Sequence, residues 1–286
     1  MDDGLRMVEV GACSAWPLPG DPTCAGVARR MFRRAAAGLA LDPAIVDDGV
    51  TMVSELAANT LHVQGEQRPQ PPRAAPELWL YLRGSGPRRE LVCKVFDSFP
   101  GWMRGNVPGR AVGRAPADAM SGRGLEVVHE LSQGHWGHHL TRSRLAGWEV
   151  RGKAVWFALP AGAPDAVLTS PAEPSATPDR FAQMTAGQAM TELEAGLVAR
   201  GFGGRMVRAD DQRADMAVLS VCSGVTVWCR ASIAWLRVPG LSGHQWRYSD
   251  LVEVAEQTVQ ACEMLAAKDD QQPLASAARA GALLHA

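Results

Sequence analysis

A chain of 286 residues, 47% hydrophobic and 21% charged, can bury one large core or two of ordinary size, which excludes a tail-like polypeptide. Its net charge of -1 excludes a general attraction for nucleic acid or anionic lipid, so any phosphate chemistry has to sit in a local site. The six cysteines, Cys13, Cys24, Cys93, Cys222, Cys229 and Cys262, lie far apart or inside apolar runs without a Cys-x-x-Cys pair, and read as buried reduced thiols.

In chain order, the N-terminus MDDGLRMVEV opens acidic, without a basic segment followed by a long apolar one. No run approaches the roughly 18 apolar residues of a membrane span. A cytoplasmic protein without membrane contact is expected. Periodicity predicts helices from about Pro22 to Ala37 and from Pro43 to about His62, then strands at ELWLYLRG and ELVCKVFD. The Pro-rich QGEQRPQPPRAAP, Gln64 to Pro76, reads as a surface loop between helix and strand. A long irregular stretch from Ser98 to Ser121 precedes a helix from Gly124 to about Leu131 and strands near GWEVRG and KAVWFALP. Helices on one side of a mainly antiparallel sheet make a two-layer α/β sandwich over residues 1–160. Residues 161–180, rich in Pro, Ala, Ser and Thr, read as a linker. Residues 181–268 read as a smaller α+β domain: a helix at TAGQAMTELEAGLVARG, strands near GGRMVRA, DMAVLSVC, VTVWCRA and IAWLRVP, and a last helix from Asp250 to about Ala267. Asp250 and Glu253 have capping-box spacing, while Leu251, Val254, Thr258, Cys262 and Leu265 follow the helical period. Residues 269–286 form a tail in this reading, and the fold class is α+β.

On the second helix Val46, Val50, Val53, Ala57 and Leu61 form an apolar stripe, with Ile45, Gly49 and Leu56 beside it. Asp48, Glu55, Asn59 and His62 share a different stripe, so a carboxylate and a carboxamide point into the same space one turn apart. A hard divalent cation takes such oxygen ligands, and a carboxylate can orient or deprotonate a nucleophile; a solvated helix face is the competing reading. Asp97 ends its strand where the chain turns into a loop, able to accept a hydrogen bond from an amine such as that of adenine or to start an ordinary turn. Gly122 and Gly124 flank Arg123 at a helix start, leaving backbone N–H groups beside a positive helix end, as in a phosphate cradle or a flexible helix entry. GHWGHH, with His135, His138 and His139, reads as surface histidines rather than a transition-metal site. VTVWCRASIAWLRVP reads as a core strand pair rather than a partner surface.

Glu-x-x-x-Asn on a helix, Asp at a strand end, a long Gly/Pro/Arg-rich loop and a Gly-Arg-Gly-Leu helix start occur here in the order of the Bergerat-type, histidine-kinase-like ATPases. Within that superfamily the chain resembles the anti-sigma-factor serine kinases, particularly the actinobacterial branch. VSELAAN stands as the N box, VFDSFPG and SGRGLEVVHELSQGHWG as the two glycine boxes, and GKAVWFALP as the closing strand. The resemblance covers about residues 10 to 160. It implies ATP and Mg²⁺ as cofactors, with Asn59 holding the metal and Glu55 as base or water-orienting carboxylate. It further implies that Asp97 reads the adenine amine and that Gly122, Gly124 and Leu125 line the phosphates. Arg123 contacts them in this reading, and residues from Arg104 to Met120 form a mobile ATP lid.

The expected function is that of an ATP- and Mg²⁺-binding regulator that phosphorylates a serine on an antagonist or sequesters a transcription factor. A sigma factor or anti-anti-sigma-like protein is the implied partner, with no direct nucleic acid contact and with homodimerisation left open. The alternative is a non-catalytic nucleotide-binding or protein-interaction module. No long dimerisation helix with a phospho-acceptor His precedes the motifs, against a sensor histidine kinase fragment, and no Gly-x-x-x-x-Gly-Lys-Ser/Thr is present, against a P-loop.

Overall fold

The computed structural model describes residues 8–39, 41–66, 74–99, 124–147, 149–162, 180–204, 206–238 and 243–283, the side chains of 62–66 and 269–283 excepted. The residues expected to form the lid, most of the linker and the centre of the Pro-rich loop lie outside these. The fold is α+β, with two antiparallel sheets.

The first sheet has the order β1-β2-β3-β5-β4, from β1 (Cys13–Pro17), β2 (Glu77–Arg83), β3 (Glu90–Asp97), β4 (Trp136–Arg142) and β5 (Arg151–Pro160). β2 and β3 are almost wholly buried because both faces of the sheet are covered, which explains their nearly continuous apolar sequences. On one face Leu78, Leu80, Leu82, Leu91, Cys93, Val95, Phe157 and Leu159 meet Cys24, Ala28 and Phe32 of α1 (Cys24–Ala37) and Val50, Val53, Leu56 and Ala57 of α2 (Pro43–Glu66). The helices cross closely at Gly49, where a Cβ would stand 2.3 Å from the Phe32 ring.

One strand expectation is corrected and one strand was missed. GWEVRG is not a strand of its own: Glu149 lies in a turn and only Arg151 and Gly152 belong to β5. The partner of β5 is β4, WGHHLTR, paired from Trp136↔Phe157 to Arg142↔Arg151. Its Gly and two His carry little strand propensity, so pairing rather than composition makes it a strand. The short β1 was likewise unexpected.

The second sheet is a meander of order β10-β9-β8-β7-β6, from β6 (Val207–Asp211), β7 (Met216–Cys222), β8 (Val225–Arg230), β9 (Ile233–Arg237) and β10 (His244–Arg247), the last of these unexpected. Ala217, Leu219, Val227, Cys229, Ala234 and Leu236 point from one face into a core with Met190, Leu193 and Leu197 of α4 (Ala186–Val198). Thr185 and Gln188 close a capping box at the start of α4. The β8–β9 pair is thus a core hairpin on one face only, since Trp228 on the other is 37% exposed.

α5 (Leu251–Leu283) runs past the expected end near Ala267 and has two buried sides. Leu251, Val254, Thr258 and Cys262 face the second sheet's core region, as their period predicted. Its carboxylates Glu253, Glu256 and Glu263 lie against the free face of the first sheet. Asp250 and Glu253 therefore serve no capping box: Asp250 accepts the Gly84 N–H at 2.7 Å, and Glu253 accepts the Tyr81 hydroxyl at 2.5 Å. No described helix is long and apolar enough to cross a membrane.

Candidate functional site

α2 opens with Pro43, whose fixed φ suits a first helical position, after Asp42, which accepts the Ala44 N–H at 2.8 Å. Met52, Val53, Leu56 and Ala57 are buried, and Glu55 and Asn59 are half-buried beside them. α3 (Gly124–Leu131) is laid against this side of α2, with Val128 buried and Leu125 and Leu131 packed on the shared core. Its first residue stands directly against the Glu55 side chain. A Cβ on Gly124 would stand 2.7 Å from Glu55 Oε2 and 3.5 Å from Asn59 Oδ1. A helix N-terminus, whose first N–H groups have no partner within the helix, thus abuts a carboxylate and a carboxamide oxygen.

Glu55, Asn59 and Gly124, 65 or more residues apart across the two helices in sequence for the glycine, are brought into one place. Leu125 follows in α3, its side chain turned to the core. Arg104, Gly122 and Arg123 lie outside the described residues, as does the side chain of His62.

Asp97 ends β3 on the α2 side of the sheet, in phase with Leu91, Cys93 and Val95. It is buried, and its carboxylate accepts the Phe99 N–H at 3.1 Å and the Lys153 ammonium at 3.0 Å. Lys153 is the strand partner of Asp97 on β5 and also donates to the Phe99 carbonyl at 2.7 Å. The neighbouring Gly152 lets β5 pass: a Cβ there would fall 2.1 Å from the Asp97 carbonyl oxygen. Sequence reasoning missed Lys153, although a cation at the head of the apolar run AVWFAL signals a buried partner.

The opposite face of the sheet holds a second polar assembly. Glu256 of α5 receives Lys94 at 3.2 Å, Arg144 at 2.6 Å, and Arg200. Arg142 meets Glu263 at 2.5 Å and lies over the Phe202 ring. Burial alone would raise the Glu256 carboxyl, but Arg200, Lys94 and Arg144 together hold it well below the usual carboxylate range. His139, expected at the surface with His135 and His138, is only 6% exposed and faces this assembly, because β4 turns alternate residues inward. Burial first and Lys94 second hold its imidazole well below the ordinary value, and neither ring nitrogen has a hydrogen-bond partner among the described residues. His135 is exposed and His138 half-buried. Among the described residues no three His, Cys, Asp or Glu side chains are grouped to hold a metal ion.

Compared with models of known protein families and with curated proteins, the chain finds no match.

Proposed function

We propose that the N-terminal half is a Bergerat-type ATP- and Mg²⁺-binding unit and that the protein is a regulator of the anti-sigma-factor serine/threonine kinase kind. One observation carries this reading: α3 starts directly against Glu55 and Asn59, the Cβ position of Gly124 lying 2.7 Å from Glu55 Oε2 and 3.5 Å from Asn59 Oδ1. A helix start that offers backbone N–H groups beside hard oxygen donors suits a metal-bound polyphosphate.

Asn59 would hold Mg²⁺ through its carboxamide oxygen, and Gly124 would leave room for phosphate. Asp97 would accept the adenine amine beside its bond to Lys153, since a carboxylate has lone pairs for both. Bound ATP supplies the transferable phosphoryl group. Glu55, next to the cradle, would orient the attacking hydroxyl and accept its proton. A sigma factor or an anti-anti-sigma-like protein is the proposed partner. A second reading, a nucleotide-binding or protein-interaction module without transfer, is favoured by the ion pair in which Asp97 already takes part.

Calorimetric titration of the full chain with ATP, with and without Mg²⁺, tests the site. Asn59→Ala is expected to lose the Mg²⁺-dependent part of the affinity with the fold intact, and Glu55→Ala to keep ATP while losing transfer to a serine-bearing partner. Absence of ATP binding by the unaltered chain would remove the proposal, and binding without transfer would leave the second reading.

A further inference from the structure

Two cysteines that stand 40 residues apart in sequence meet at the boundary of the second core. Cys222 ends β7, and Cys262 lies on α5, with their Sγ atoms 3.1 Å apart. The approach has a local cause. The β7–β8 register shifts between Ser220 and Cys222, so that Val221 is fully buried while the adjacent Cys222 also packs against the same core, which strict alternation would forbid. The two thiols differ in access: Cys222 is half-buried, next to the exposed turn before β8, whereas Cys262 is only 6% exposed behind it. An outer thiol within reach of solvent and an inner one in contact with it is the arrangement by which a sulfenic acid is resolved into a disulfide.

We propose that Cys222 and Cys262 form an oxidation-sensitive pair, which hydroperoxides close to an intramolecular disulfide. The Cys222 thiolate attacks the peroxide: an S–O bond forms, the O–O bond breaks, and the leaving oxygen takes a proton and departs as water or alcohol. The Cys262 thiol then gives up its proton and attacks the sulfenic sulfur. The S–S bond forms, the S–O bond breaks, and the hydroxyl leaves as water. Two electrons pass from the two thiols to one peroxide. The sulfurs need to close by about 1 Å to reach a disulfide length near 2.05 Å. The crosslink pins α5 to β7 at the residue before Glu263, whose carboxylate takes Arg142 of the first sheet. Oxidation thereby fixes the helix that joins the two sheets.

The test treats the folded full chain with hydrogen peroxide, blocks remaining thiols by alkylation after unfolding, and maps tryptic peptides without reduction. The expected product is a covalent pair of peptides 214–230 and 248–268, two hydrogens lighter than their sum, with a rise in melting temperature reversed by a thiol reductant. Peptide 214–230 also contains Cys229, so Cys222→Ser and Cys229→Ser are compared. Loss of the crosslink in the first and its retention in the second supports the assignment. Retention in Cys222→Ser overturns it. So does failure of the unaltered protein to crosslink under peroxide sufficient to oxidise Cys222, a measurement that does not depend on any variant folding.

Discussion

The two faces of the first sheet are made by the same strands and are held by different physics. Leu78, Leu80 and Leu82 of β2 enter an apolar core beneath α1 and α2, while the alternate residues Glu77, Trp79 and Tyr81 meet a seam of ion pairs and hydrogen bonds under α5. Apolar burial is non-directional, about 25 cal/mol for each Å² removed from water, and tolerates exchange of one shape for another. The seam is directional. Each buried charge there costs several kcal/mol to desolvate and is tolerable only while its partners stay in place. The same helix that seals this face also completes the second sheet's core, so the seam determines how the two sheets are joined.

The largest test of that contrast is Glu256→Ala, which leaves Lys94, Arg144 and Arg200 facing one another without a carboxylate. A loss of about 3–5 kcal/mol is expected in urea unfolding. Leu80→Ala, its apolar counterpart, is expected to cost about 2–5 kcal/mol. The location of the damage separates the two: amide exchange should rise in residues 251–268 for Glu256→Ala and in 43–62 and 77–97 for Leu80→Ala. The same exchange pattern in both variants would mean that the faces are not independent.

A smaller effect sharpens the comparison through pH. Burial first, then the positive charge of Lys94 and Arg200 and neighbouring His138 against the opposing Glu256, hold the folded pKa of His139 well below its ordinary 6.5. The unfolded chain therefore takes up this proton first as the solution is acidified. Its contribution to stability is complete above about 6.5 and falls as pH drops from there towards the folded pKa, by at most about 1.4 kcal/mol per pH unit. His139→Gln should flatten the difference curve between pH 7 and 5, roughly, whereas Leu80→Ala should leave it parallel to the unaltered protein. A His139→Gln curve parallel to the unaltered one would place the histidine's titration outside the seam.

The smallest expected change in stability is at the apolar face's own polar corner. Gly124→Ala must push the Glu55 carboxylate aside, since that flexible chain end is the nearest atom to the added Cβ. Stability should change by less than about 1 kcal/mol, as the better helix propensity of Ala offsets part of the crowding. Mg²⁺-dependent ATP affinity should fall by roughly tenfold, about 1.4 kcal/mol. An unchanged affinity would detach the start of α3 from the proposed nucleotide site.

Much of the apolar side was legible in the sequence because its signals are local. The stripe of α2 is read from a period near 3.6 residues, and β3 was delimited at Glu90 and Asp97 by its apolar run and the turn that follows. The carboxylate, the carboxamide and the helix-start glycine were also visible as types in an order. Their meeting at Gly124 was not, because no local pattern measures the distance from α3 to α2. β4 escaped for a related reason: Gly137, His138 and His139 suggest a loop, and only their pairing with Ala154, Val155 and Trp156 makes them a strand.

By itself the sequence determined the α+β class, most elements, the apolar faces and the residue types of the candidate site, since all of these follow from composition and from periods of two and 3.6 residues. Tertiary structure alone decided the partners. Asp250 and Glu253 have the spacing of a local cap, yet they bond Gly84 and Tyr81, the latter pair 172 residues apart. Lys94, Arg144 and Arg200 converge on one glutamate, and Cys222 reaches Cys262 through a bulge. A buried charge or thiol declares in sequence that it needs company; which company it keeps depends on how the sheets and helices stack, and that depends on the whole chain at once.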